Sequence, residues 1–128
     1  KNMTDPTAYQ KATDLVGSRA RADVEREFRT LEAAAAAPQT QTQFSRGALS
    51  GYVWALGRAA AAPVTGADSG GTPDLRLLSA EVDATLVQLA DESPRMVPRD
   101  YMMGVHDALA WVCGYSDEQP SGELTARR

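Results

Sequence analysis

His106-Asp107 is the one place where the sequence sets an imidazole beside a carboxylate, the pairing used in acid–base catalysis. Adjacent residues of a helix point about 100° apart, so Asp107 is expected to orient the ring poorly. Cys113 follows seven residues on, roughly on the same helical face. At ~1.5 Å rise per residue the two Cα atoms would lie about 10 Å apart, long for a nucleophile and its base. A solvated surface histidine is therefore expected, and no catalytic residue is assigned.

The chain holds one histidine and one cysteine. That excludes a two-histidine metal motif, a cysteine-rich zinc site and an intramolecular disulfide. Carboxylate metal sites on helices need facing acids at i, i+3 or i, i+4. Asp23 and Glu27 have that spacing, but Arg19 and Arg26 stand nearby, and a solvated salt-bridge face is the expectation. Gly66 to Gly71 (GADSGG) lacks the lysine and the strand-to-helix setting of a phosphate loop. No serine lies in a nucleophile elbow. No metal and no cofactor are expected.

Arg19, Arg21, Arg26 and Arg29 are the candidate nucleic-acid contacts, since they could touch phosphates along a first helix. Asp23, Glu25, Glu27 and Glu32 interleave with them and cancel much of the field. Residues 1–63 carry eight basic and six acidic groups, residues 64–128 five and eleven. The whole chain carries −4 with a pI near 4.9, which disfavours nucleic acid as a partner.

These side chains sit on a chain of 128 residues, 43% hydrophobic and 23% charged, enough to bury one domain's core. Four apolar stripes at helical spacing predict an all-α fold with helices near 6–37, 42–61, 74–92 and 98–114. Asp5-Pro6 is expected to open the first, whose stripe is Val16, Ala20, Val24, Phe28 and Leu31, and Pro38 to end it. Phe44, Ala48, Tyr52 and Leu56 mark the second. Residues 63–73 (PVTGADSGGTP) read as a flexible linker. Leu75, Leu78, Val82, Leu86 and Leu89 mark the third helix, which ends at Ser93-Pro94. Tyr101, Val105, Ala108 and Val112 mark the fourth, which Gly114 stops. A polar tail from 116 to 128 is expected to fray. No alternating strand pattern of useful length is visible.

The two tryptophans have matching surroundings: FSRGALSGYVWALG from Phe44 and YMMGVHDALAWVCG from Tyr101. At an offset of 57, Gly47 falls on Gly104, Trp54 on Trp111 and Gly57 on Gly114. The preceding segments match at 58, with Val24 on Val82, Phe28 on Leu86 and Leu31 on Leu89. The sequence thus predicts an internal repeat, approximately 16–63 and 74–120, closing as a four-helix bundle of two duplicated hairpins. A mid-helix glycine costs about 1 kcal/mol against alanine. Close packing between helices would offset that cost, so Gly47, Gly51, Trp54, Gly104, Ala108 and Trp111 are expected at a close helix crossing. Gly51→Leu would overpack it.

No apolar run approaches the ~20 residues of a membrane span, and no signal peptide opens the chain. A cytoplasmic location is expected. The functional expectation is a non-catalytic helical protein-interaction module. Its partner is expected to be a second copy in a homodimer, or another protein. A first helix of about 30 residues, ~45 Å long, would overhang its neighbours and need such a partner. The alternatives are a DNA-linked regulator using the arginine-bearing first helix, and a small-molecule binder near the tryptophans.

Overall fold

A glycine reverses the chain where a continuous first helix was expected. In the computed structural model, which describes residues 14–93 and 96–120, Gly17 adopts φ +63°. Gly17 and Ser18 form a two-residue loop between β1 (Leu15–Val16) and β2 (Arg19–Ala20), which pair antiparallel with Leu15 opposite Ala20. Glycine at the first loop position is the usual hairpin solution. The hairpin docks on the rest of the molecule: Val16 is fully buried, and the Ser18 amide donates to the Val112 carbonyl at 3.0 Å.

The first helix, α1, therefore runs only Arg21–Ala34, about 21 Å by the standard rise. The expected range 6–37 is corrected over 14–20, and the Asp5-Pro6 start lies outside the described residues. As described, α1 is similar in length to the other helices and has no overhang that calls for a partner. The alanine run does not extend the helix to Pro38 either. Pro38–Thr40 forms a separate 3-10 turn.

Thr42 then caps α2 (Gln43–Ala55) through a capping box: its hydroxyl accepts from the Ser45 amide and the Ser45 hydroxyl accepts from the Thr42 amide. Asp74 caps α3 (Leu75–Ala90) by accepting from the Leu77 amide. Pro98 precedes α4 (Arg99–Cys113), which ends on Gly114 in the left-handed conformation. The molecule is mostly helical, with four α-helices and one small two-stranded sheet among the described residues.

The core lies between α2 and α4, with α3 packed along α4 and α1 against α2. Phe44, Ala48, Tyr52 and Leu56 of one stripe and Val105, Ala108 and Val112 of another are buried. The stripe of α3 is rotated from the expected one. Leu78 and Val82 are buried together with Glu81 and Thr85, while Leu75 and Leu86 stay half exposed.

The start of the segment 63–73 is anchored on α3. Glu81 is almost wholly buried, and its carboxylate accepts from the Val64 amide, the Thr65 amide and the Thr65 hydroxyl. This pins the turn and lets Val64 and Ala67 pack on the core. The start of the polar tail is also held, since Arg19 donates to the Ser116 carbonyl at 2.7 Å and Pro120 is buried.

Candidate functional site

The two glycine-bearing helices meet backbone to backbone. A Cβ on Gly47 would lie 1.9 Å from the Tyr101 carbonyl oxygen, and one on Gly104 would lie 2.0 Å from that of Phe44. One turn on, a Cβ on Gly51 would meet the Ala108 Cβ at 3.3 Å. Gly104 lies against Phe44 and Ala48, Ala108 against Gly51 and Trp111 against Tyr52, so α2 and α4 run in the same sense. Only glycine allows the approach at 47 and 104, whereas at 51 the neighbours are side chains.

Trp54 and Trp111 are both buried, 1% and 6% exposed. Trp111 meets Tyr52 edge-on with ring centroids 6.2 Å apart. Arg19 lies over the Trp111 indole, 4.6 Å from its centroid, and its Nε donates to the Trp111 carbonyl at 2.7 Å. Among the described residues, the Tyr52 hydroxyl and the Trp54 Nε1 are buried without a hydrogen-bond partner. Burial raises the Tyr52 phenol far above its ordinary range, and the carboxylates of Glu27 and Asp107 add to the rise against the opposing charge of Arg19. The tryptophans are thus packing residues, capped at one end by an arginine.

The other candidate arginines are also engaged. Arg21 donates to Asp14 and to Thr72, Arg26 pairs with Asp23, and Arg29 with Glu25. Each guanidinium of the proposed phosphate-binding set already points at an acceptor of its own chain. Arg19, turned onto the end of α4, is the farthest from such a role.

His106 and Asp107 do hydrogen-bond, Nδ1 to Oδ1 at 2.9 Å, although neighbouring positions were expected to diverge. Both remain about a quarter exposed. Cys113 is buried, and its partner is the Ser79 hydroxyl at 3.9 Å. Burial pushes its thiol up, the Ser79 bond offsetting part of the rise, which opposes nucleophilic use at neutral pH. No group of three or more His, Cys, Asp or Glu side chains gathers among the described residues.

Two features escaped the sequence reading. One is a groove of about 570 Å³ on the outer face of α2. Arg46, Leu49, Ser50 and Val53 form its floor, at the i, i+3, i+4, i+7 spacing of one helical face, and Ala59, Ala61 and Pro63 form a wall. Tyr101 reaches in from α4 to bond Ser50, hydroxyl to hydroxyl, at 2.6 Å. Neither tryptophan lines it. Leu49 and Val53 were the available signal, an apolar pair off the main stripe.

The other is an exposed apolar face on α3 and the segment after it. Leu75 and Leu86 stand on one edge of the helix, 47% and 49% exposed, and Val87, Met96 and Val97 are exposed at its far end. Tyr115 joins that edge through its hydroxyl, 2.6 Å from Ser79. Comparison with known protein families, with curated proteins and with solved structures finds no match.

Proposed function

We propose that this chain is a non-catalytic helical interaction module that self-associates through the exposed face of α3. The observation that carries the reading is the contrast between the two halves. At an offset of 58, Leu86 corresponds to Phe28. Phe28 packs on the core with the Arg58 guanidinium over its ring, and Arg58 is paired with Glu25 at 2.7 Å. Leu86 is 49% exposed, and Val87, Met96 and Val97 are exposed as well. Exposed apolar faces of this kind mark sites where proteins meet.

The charge distribution favours a second copy as the occupant. The first half is weakly basic and the second strongly acidic. A two-fold dimer that docks the α3 face on the other chain's first half would oppose unlike net charges twice. The arginines of α1 are spent on their own chain's acceptors, so a DNA-linked role is not favoured.

We further infer that the architecture is a duplicated helical hairpin. In its support, contacts recur at the offset of 57. Gly47 faces the Tyr101 carbonyl as Gly104 faces that of Phe44. Gly57 and Gly114 are both left-handed, and their amides return to the Trp54 and Trp111 carbonyls. The next amides, of Arg58 and Tyr115, return to Val53 and Ala110.

Light scattering at micromolar concentration tests the reading. The expected mass is twice 13.7 kDa, and Leu86→Glu is expected to halve it with the helical circular dichroism unchanged. A concentration-independent 13.7 kDa for the unmutated chain would overturn self-association.

A further inference from the structure

We propose that the groove on α2 binds a small organic monocarboxylate with a short alkyl chain. Its carboxylate would lie between the Arg46 guanidinium and the Ser50–Tyr101 hydroxyl pair. This site is separate from the α3 face and does not depend on self-association.

Charge comes first. The lining of the groove contains one formal charge, Arg46, and no carboxylate, on a chain whose net charge is −4. Arg21, Arg26, Arg29 and Arg58 each pair with a carboxylate. Arg46 makes no ion pair among the described residues, and its bond to Gln41 is long, at 3.5 Å. The residues 57 positions beyond Leu49 and Ser50 are His106 and Asp107, so the corresponding face of α4 carries an acid. The anion preference therefore belongs to α2 alone.

Hydrogen bonding adds direction. Ser50 and Tyr101 share one hydroxyl proton at 2.6 Å, which leaves the other O–H of the pair for a further acceptor. Arg46 and Ser50 are four apart on one helical face, so their polar ends are neighbours. A carboxylate fits between them, with one oxygen toward each, and an ammonium would be repelled by Arg46. Leu49 and Val53, the next rungs of the same face, floor the apolar part, and Ala59 and Pro63 wall it. At about 570 Å³ the groove is within the range that takes small molecules.

The test is a methyl-detected NMR titration of the full chain with octanoate and, separately, octanamide, which keeps the chain length and removes the charge. Saturable shifts of the Leu49 and Val53 methyls are expected with octanoate, and about tenfold weaker binding of octanamide. Arg46 is exposed, and Arg46→Gln is expected to weaken octanoate about tenfold while leaving octanamide and the methyls outside the groove unmoved. Equal affinity for acid and amide would overturn the proposal by reducing the groove to nonspecific apolar surface. An Arg46→Gln variant that binds octanoate as the unmutated chain does, or no saturable shift up to about 10 mM, would also overturn it.

Discussion

At the scale of single residues, the glycines are not equivalent, and the difference is measurable. Alanine at 47 or 104 places a methyl about 2 Å from a carbonyl oxygen of the facing helix, so the helices must separate. Gly47→Ala and Gly104→Ala are expected to cost roughly 3 kcal/mol or more. Gly51→Ala meets only side chains at 3.3 Å and beyond and gains helix propensity. It is expected to fall within about 1 kcal/mol of the original. Urea denaturation of the three variants checks the contrast, and equal effects would mean that the crossing does not have this geometry. Tyr52 makes a second case. Its hydroxyl is buried without a partner among the described residues, and an unmet buried hydroxyl costs about 1–3 kcal/mol. Tyr52→Phe keeps the edge-on contact with Trp111 and removes the hydroxyl, so thermal melting is expected to shift upward. A downward shift would show that the hydroxyl is satisfied.

Among the elements, the loop between α2 and α3 shows how one residue orders a whole segment. Proline, glycine and serine between 63 and 73 give no face to bury. The order comes from Glu81 on α3, whose carboxylate collects the donors of Val64 and Thr65. Glu81→Ala leaves two amides without their acceptor and opens a space beneath the turn. The expected cost is about 2–3 kcal/mol, with faster amide exchange at Val64 and Thr65. Unchanged exchange there would show that the turn holds without Glu81. The short β-hairpin works by the same logic at the other end of the molecule. Its Ser18 and Arg19 cap the last carbonyls of α4, groups that a helix end leaves without intrahelical partners.

For the molecule as a whole, the question is what covers the α3 face. If a second copy covers it through complementary halves, attraction between opposite charges contributes to association, and salt screens it. The dimer mass expected from light scattering should then fall toward that of the single chain as sodium chloride is raised. A dimer that tightens with salt would point to a contact made by the apolar residues alone, with the charged halves apart.

The sequence by itself determined the helical class, the stripes of α2 and α4, the stop at Gly114, and the glycines that hold the tight crossing. Each of these is local: a 3.6-residue period, a glycine after the last turn, or a small residue repeated every turn is written in consecutive positions. Tertiary structure decided the rest. Val16 and Ala20 continue the stripe of α1 perfectly well, yet Gly17 turns the chain because the reversed segment fits against the Val112 carbonyl. Glu81 sits among Leu78, Val82 and Thr85, and it reads as a charged interruption until the amides of a distant loop arrive to meet it. Leu86 and Phe28 look alike as apolar positions, yet Phe28 packs on the core beneath Arg58 and Leu86 is half exposed. The groove was the least legible, since it is formed by one face of α2, a loop and a tyrosine about fifty residues away. Periodicity along a chain reports which face is apolar, but what lies against that face depends on residues far away in the sequence.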